Sequence, residues 1–108
     1  PWCTALAAAR RPIPPLHYMI AAFGGSEIRV AGYARYGTPE LSGAVLAAMA
    51  GRAGCLMANH GMIVGAATLA RAAWLAGEME ALAQMTVQAG MAGGAYLLTE
   101  AGIAEAMA

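Results

Sequence analysis

Aspartate is absent from the 108 residues, and the six acidic side chains are all glutamates. A Ser-His-Asp arrangement for nucleophilic catalysis is thereby excluded. Charge of either sign is scarce: 11% of residues are charged, where an ordinary soluble domain carries about a quarter. So little charge suits a chain that buries much of its surface, including against other chains. Six basic residues against six acidic ones leave a formal net charge of zero. Nothing electrostatic therefore favours nucleic acid or an anionic membrane as a partner. The pair Arg10-Arg11 is too small for a basic patch and marks a solvated helix end.

Cysteine is also rare. Cys3 and Cys55 lie far apart in apolar company, form no CxxC pair, and give no recognisable zinc spacing with His60. They read as free buried thiols, compatible with a reducing cytoplasm. No signal peptide is visible, and no Gly-rich turn opens a helix with a lysine, so there is no phosphate loop. Long apolar runs are missing too, although 60% of the residues are hydrophobic. Residues 53–70 carry no charge but are interrupted by Asn59, His60 and several glycines. Residues 81–99 are interrupted by Gln84, Gln88, Gly90, Gly93 and Gly94. Neither is the unbroken apolar stretch of about 20 residues that a spanning helix needs. The expectation is a soluble protein.

What is present fits one domain with a modest core. The chain enters an alanine-rich helical pattern at once, at Pro1-Trp2-Cys3-Thr4, and reads as beginning inside a domain. A helix over Thr4–Arg10 ends at Arg11-Pro12, and Pro12 to Pro15 form an extended loop. Leu16–Ala22 carries His17 and Tyr18 and breaks at Gly24-Gly25. Glu27–Ala31 alternates as a short strand, and residues 32–37 form a loop holding Tyr33 and Tyr36. Thr38-Pro39-Glu40 is a helix start with a capping hydroxyl, a first-turn proline and an acid at the positive end. That helix is predicted to reach about Ala50. A long helix over Thr68–Ala89 keeps Ala72, Leu75, Met79 and Leu82 in one stripe, with Glu78 and Glu80 off it. Met79 and Met85 read as core filler. A final short helix starts near Thr99. Strands interspersed with helices make the class α/β or α+β.

The segment from Cys55 to Val64 carries the chemistry. Two short apolar runs flank Asn59-His60-Gly61 and read as buried strands joined by a turn, with Gly61 letting the backbone reverse. An imidazole fixed on such a framework has the rigidity that metal ligation needs. On its own, a histidine beside apolar residues is more often a hydrogen-bonded core or turn residue.

Three segments in order change that balance. Pro12-Ile13-Pro14-Pro15-Leu16-His17-Tyr18-Met19-Ile20 is followed by Tyr33-Ala34-Arg35-Tyr36-Gly37-Thr38-Pro39-Glu40-Leu41-Ser42, and then by Ala58-Asn59-His60-Gly61-Met62-Ile63. Together they resemble the class II aldolase/adducin family, over Thr4 to about Glu80 and more weakly into the helix after Thr99. The resemblance implies a three-layer α/β/α class II aldolase-like domain spanning residues 1–108 and incomplete at its N-terminus. It implies a metal-dependent lyase that cleaves a ketose 1-phosphate such as L-fuculose 1-phosphate. It further implies a divalent cation, normally zinc, held by three histidines, of which His60 is the third. The other two, the acid/base glutamate and the phosphate-binding region would lie upstream, so the fragment alone is expected to be inactive. Tyr18 matches the tyrosine that handles the aldehyde proton at a neighbouring subunit's metal. Tyr36 matches an aromatic lining the aldehyde pocket, where the aldolases of the family carry Phe. A cytoplasmic homotetramer acting on a phosphorylated sugar is the implied setting.

On residue type alone Tyr33 is expected to pack within its loop. His17, beside Tyr18 on an extended segment, should point the opposite way. Asn59 is a candidate for orienting the His60 turn. Other readings of the same family are a pentulose-phosphate 4-epimerase, a sugar-phosphate dehydratase, or an adducin-like assembly protein without a metal.

Overall fold

Three threonines set where the helices begin. The computed structural model describes residues 1–107, in the order α1 (Trp2–Ala9), a 3₁₀ helix (Tyr18–Phe23), β1 (Val30–Ala31), α2 (Pro39–Ala48), β2 (Gly54–Met57), β3 (Gly61–Val64), α3 (Leu69–Met91) and α4 (Glu100–Met107). Thr38 accepts the backbone N–H of Leu41 at 3.3 Å, Thr68 that of Arg71 at 3.1 Å, and Thr99 that of Gly102 at 3.0 Å. Each hydroxyl satisfies an N–H that the first helical turn leaves open, a contact worth about 1 kcal/mol. All three starts match the sequence expectation.

The strands form one mixed sheet in the order β1-β2-β3. β1 runs parallel to β2 with Val30 opposite Leu56, and β2 runs antiparallel to β3 with Cys55 opposite Ile63. Side chains alternate across the central strand. Leu56 enters one core with Cys3, Leu6 and Ala7 of α1 and with Leu75, Met79 and Leu82 of α3. Cys55 faces the other way, onto Ala31 and Ala48, with Val45 and Met57 alongside. Helices α1 and α3 therefore cover one face of the sheet and α2 the other. This is the three-layer α/β arrangement expected, built on a small sheet.

The predicted stripe of α3 holds at Leu75, Met79 and Leu82, which are buried; Ala72 is only half-buried. Burying side chains of this size is worth about 2 kcal/mol apiece. The helix comes close because Gly54 has no side chain. A Cβ there would stand 2.5 Å from Met79 Cε and 2.8 Å from the Ile63 carbonyl oxygen.

Two expectations need correction. The strand predicted over Glu27–Ala31 shrinks to Val30–Ala31, and Ile28 instead makes an isolated antiparallel bridge with Ile13. Ile13 sits between Pro12 and Pro14, which have no N–H to donate, so the pairing cannot extend. The segment carrying His17 and Tyr18 is not a strand. His17 caps the 3₁₀ helix, its Nδ1 accepting the Met19 N–H at 3.1 Å. This bends the backbone so that the two rings stack, with centroids 4.6 Å apart, rather than pointing to opposite sides.

Both cysteines are free and buried. Burial pushes the Cys55 thiol up. Burial and then the neighbouring Glu80 carboxylate push Cys3 up to about 12. Both shifts disfavour the thiolate, the nucleophilic form of the side chain. No helix among the described residues is long and apolar enough to cross a membrane.

Candidate functional site

The turn between β2 and β3 is made by Asn59. The His60 N–H donates to the Met57 carbonyl at 3.0 Å, closing a four-residue turn in which Asn59 is third with φ 56. That position of a turn takes left-handed backbone in some turn types, and asparagine tolerates it better than other residues with a Cβ. Gly61, expected to permit the reversal, carries no positive φ and opens β3 instead.

The Asn59 turn is tied to the end of α1. Its N–H donates to the Ala7 carbonyl at 2.9 Å, and its Oδ1 accepts from Arg10 Nε at 2.8 Å. Arg10 is the C-terminal cap of α1 and is itself left-handed, at φ 54. The orienting duty guessed for Asn59 thus has a concrete form. Arg10 is more than a solvated helix end.

His60 is exposed, as is Tyr36. The two line one open cleft of about 290 Å³ together with Tyr33, Ala34, Arg35 and Asn59. Two phenols and an imidazole therefore share a wall-to-wall space with no carboxylate in its lining. Tyr33 departs from expectation. It is 62% exposed, lines the cleft, and lies under the Arg10 guanidinium at 5.6 Å from the ring centroid. The cation holds the ring out of the loop interior.

Tyr18 is elsewhere. Its side chain is 61% exposed and lines a second cleft with Met19, Ala21, Ala22, Arg71, Ala106 and Met107. Arg71 is anchored there by Trp74, whose ring centroid is 4.4 Å from the guanidinium carbon. The chain brings His60 and Tyr36 together and leaves Tyr18 apart from both.

No group of three or more His, Cys, Asp or Glu residues that could hold a metal ion exists among the described residues. His60 fits one coordination position, since an exposed imidazole on a braced turn is a good donor to a borderline cation. The remaining positions would have to come from outside these residues. Sequence reasoning missed Arg10 and Tyr33. A helix ending in arginines with no glycine or asparagine to take the left-handed position was the available signal.

Comparison with known proteins agrees with this geometry. Residues 1–87 match the Class II Aldolase and Adducin N-terminal domain. A 5-methylthioribulose-1-phosphate/5-deoxyribulose-1-phosphate aldolase of Rhodospirillum rubrum is 54% identical over 84 residues, covering 78% of this chain and 38% of that protein. An L-fuculose phosphate aldolase of Escherichia coli O6:H1 is 51% identical over 83 residues, covering 77% of this chain and 39% of that protein. The solved structure of an L-fuculose 1-phosphate aldolase superposes with a TM-score of 0.95 at 39% identity, over 98% of this chain and 50% of that one. The chain thus spans half or less of the length of the relatives it matches. With the family domain matched over most of its residues and the fold shared nearly throughout, this chain belongs to the class II aldolase/adducin family.

Proposed function

We propose that this chain carries part of the active site of a metal-dependent aldolase. The full-length protein would cleave a ketose 1-phosphate, such as L-fuculose 1-phosphate, into dihydroxyacetone phosphate and an aldehyde. The observation that carries this reading is the exposed His60 on a braced turn, lining one cleft with Tyr36. Support for the substrate class comes from the relatives, which are named as aldolases of L-fuculose phosphate and of 5-methylthioribulose and 5-deoxyribulose 1-phosphates.

His60 would supply one ligand to a divalent cation, zinc being the expected one. When bound, such a cation polarises a ketose carbonyl and stabilises negative charge developing on its oxygen. The chain's own residues account for the rest. Tyr36 and Tyr33 wall the cleft beside His60 and offer their rings to the aldehyde end of the substrate. In cleavage, the hydroxyl on the carbon that becomes the aldehyde loses its proton. The adjacent carbon–carbon bond then breaks, and its electron pair passes to the ketose-phosphate fragment. We assign Tyr18, as its phenolate, to take this proton and, as the phenol, to give it back in the addition direction; the carbanion left on the triose-phosphate fragment would take its proton from the acid/base glutamate expected upstream. That Tyr18 lines a different cleft from His60 supports a reading in which it serves the site of a neighbouring copy, in a cytoplasmic homotetramer. The Tyr36 hydroxyl stands where the family's aldolases carry Phe, and it adds a polar contact for the aldehyde substituent.

An aldol-cleavage assay of the full-length protein tests the reading. L-fuculose 1-phosphate, 5-deoxyribulose 1-phosphate and 5-methylthioribulose 1-phosphate are each incubated with and without chelator, and dihydroxyacetone phosphate is measured. Release from at least one of them, lost on chelation and restored by zinc, is expected. Absence of dihydroxyacetone phosphate across the panel would refute the aldolase assignment.

A further inference from the structure

Arg10 occupies backbone that normally belongs to glycine or asparagine. At φ 54 it is the left-handed residue that ends α1, and a bulky residue there calls for an account of its side chain. That side chain does two things. Its Nε donates to Asn59 Oδ1 at 2.8 Å, and its guanidinium lies 5.6 Å from the centroid of the Tyr33 ring. Asn59, also left-handed at φ 56, immediately precedes His60. The Ala7 carbonyl accepts both the Arg10 N–H at 3.1 Å and the Asn59 N–H at 2.9 Å. One helix end therefore grips the β2–β3 turn through backbone and side chain, and touches the opposite wall of the cleft as well.

We infer that Arg10 is a positioning residue, which holds the His60 imidazole to one orientation through Asn59 and fixes the width of the cleft through Tyr33. The inference rests on the aldolase reading, in which His60 ligates the cation. Only arginine meets both demands. Its planar Nε–H makes a directed bond to an amide oxygen while the delocalised cation stacks on a ring, and lysine has neither the fork nor the plane. Removing a group that orients a metal-binding imidazole ordinarily costs about 10- to 100-fold in affinity for the metal.

The test uses the full-length protein with zinc. Arg10→Gly keeps the left-handed backbone and deletes the side chain, while Asn59→Gly keeps the turn and deletes the acceptor. Each is expected to weaken zinc binding by about 10- to 100-fold in chelator competition. The double variant should bind no more weakly than either single one, because both act on the same contact. The visible spectrum of the cobalt-substituted protein should shift in both, and Arg10→Lys should not restore it. The melting temperature of the metal-free protein should be retained in Arg10→Gly, which separates positioning from mere support of the fold. Unchanged zinc affinity in Arg10→Gly, with metal lost in His60→Ala, overturns the role of Arg10 and leaves the aldolase reading standing. Multiplicative losses in the double variant overturn the route through Asn59. Zinc fully retained in His60→Ala overturns both.

Discussion

Glu80 on α3 accepts the backbone N–H of Cys3 at 2.9 Å, and its second oxygen takes the Trp2 N–H at the same distance. A carboxylate from one helix thereby closes the amino-terminal end of another, where the helix dipole favours negative charge. Burial alone pushes Glu80 up. The Cys3 and Trp2 N–H groups and the Cys3 thiol draw the carboxyl the other way, below its usual 4.5.

The consequence is a defined acid sensitivity. A lowered carboxyl contributes stability that is complete above its unfolded value and is lost as pH falls towards the folded one. For Glu80, which is 28% exposed, the contribution is on the order of 1 kcal/mol once solvent screening is allowed for. Urea unfolding between pH 7 and pH 2 should show stability declining below about pH 4.5. In Glu80→Gln that part of the decline should be absent and the neutral-pH stability lower.

Gly54→Ala should destabilise the fold. The added methyl would meet Met79 Cε, which can move, and the Ile63 carbonyl, which belongs to the paired strand and cannot. A loss of about 1–3 kcal/mol is expected, read as a lower urea midpoint with an unchanged slope. Unaltered stability would mean that α3 does not rest on the sheet at this point.

His60→Ala in the full-length protein should remove most bound zinc, because under the proposed function a site of three imidazoles would lose one of its direct ligands. Atomic absorption on the purified variant gives the answer. Wild-type zinc content would strike His60 from the ligand set.

Tyr18→Phe should behave differently. Its zinc content should be that of the wild type, while kcat for aldol cleavage falls by about 10²- to 10⁴-fold, the usual scale for removing a proton-transfer group. Wild-type turnover would take Tyr18 out of the mechanism.

The legible parts of this molecule are those in which a residue acts on its own neighbourhood. Thr38, Thr68 and Thr99 cap helices from one position upstream, so their sequence context is enough. The Leu75, Met79, Leu82 stripe repeats with the helix itself. The strand-turn-strand around His60 was equally plain, although the hinge was assigned to Gly61 when Asn59 performs it. Glycine is the default for left-handed backbone, and only the fold shows that the preceding asparagine has been drafted by Ala7. The remaining surprises depend on partners distant in the chain. Glu80 lies off the helix stripe, and its role shows only with α1 docked beside it. Arg10 and Tyr33 came together only once the sheet had placed the β2–β3 turn against the end of α1. The His17–Tyr18 stack arises because a side chain, not the strand register, sets the local bend.

Under the proposed function, the separate clefts of Tyr18 and His60 would give each copy of the chain a double part, lender at one centre and borrower at another. Two crippled variants should then repair one another. Mixing full-length His60→Ala with Tyr18→Phe under conditions that let subunits exchange would build hybrid assemblies in which about a quarter of the centres hold both intact groups, by random pairing in a closed ring of like subunits. Activity rising from near nothing towards that fraction would show that catalysis here is a property of the company a subunit keeps.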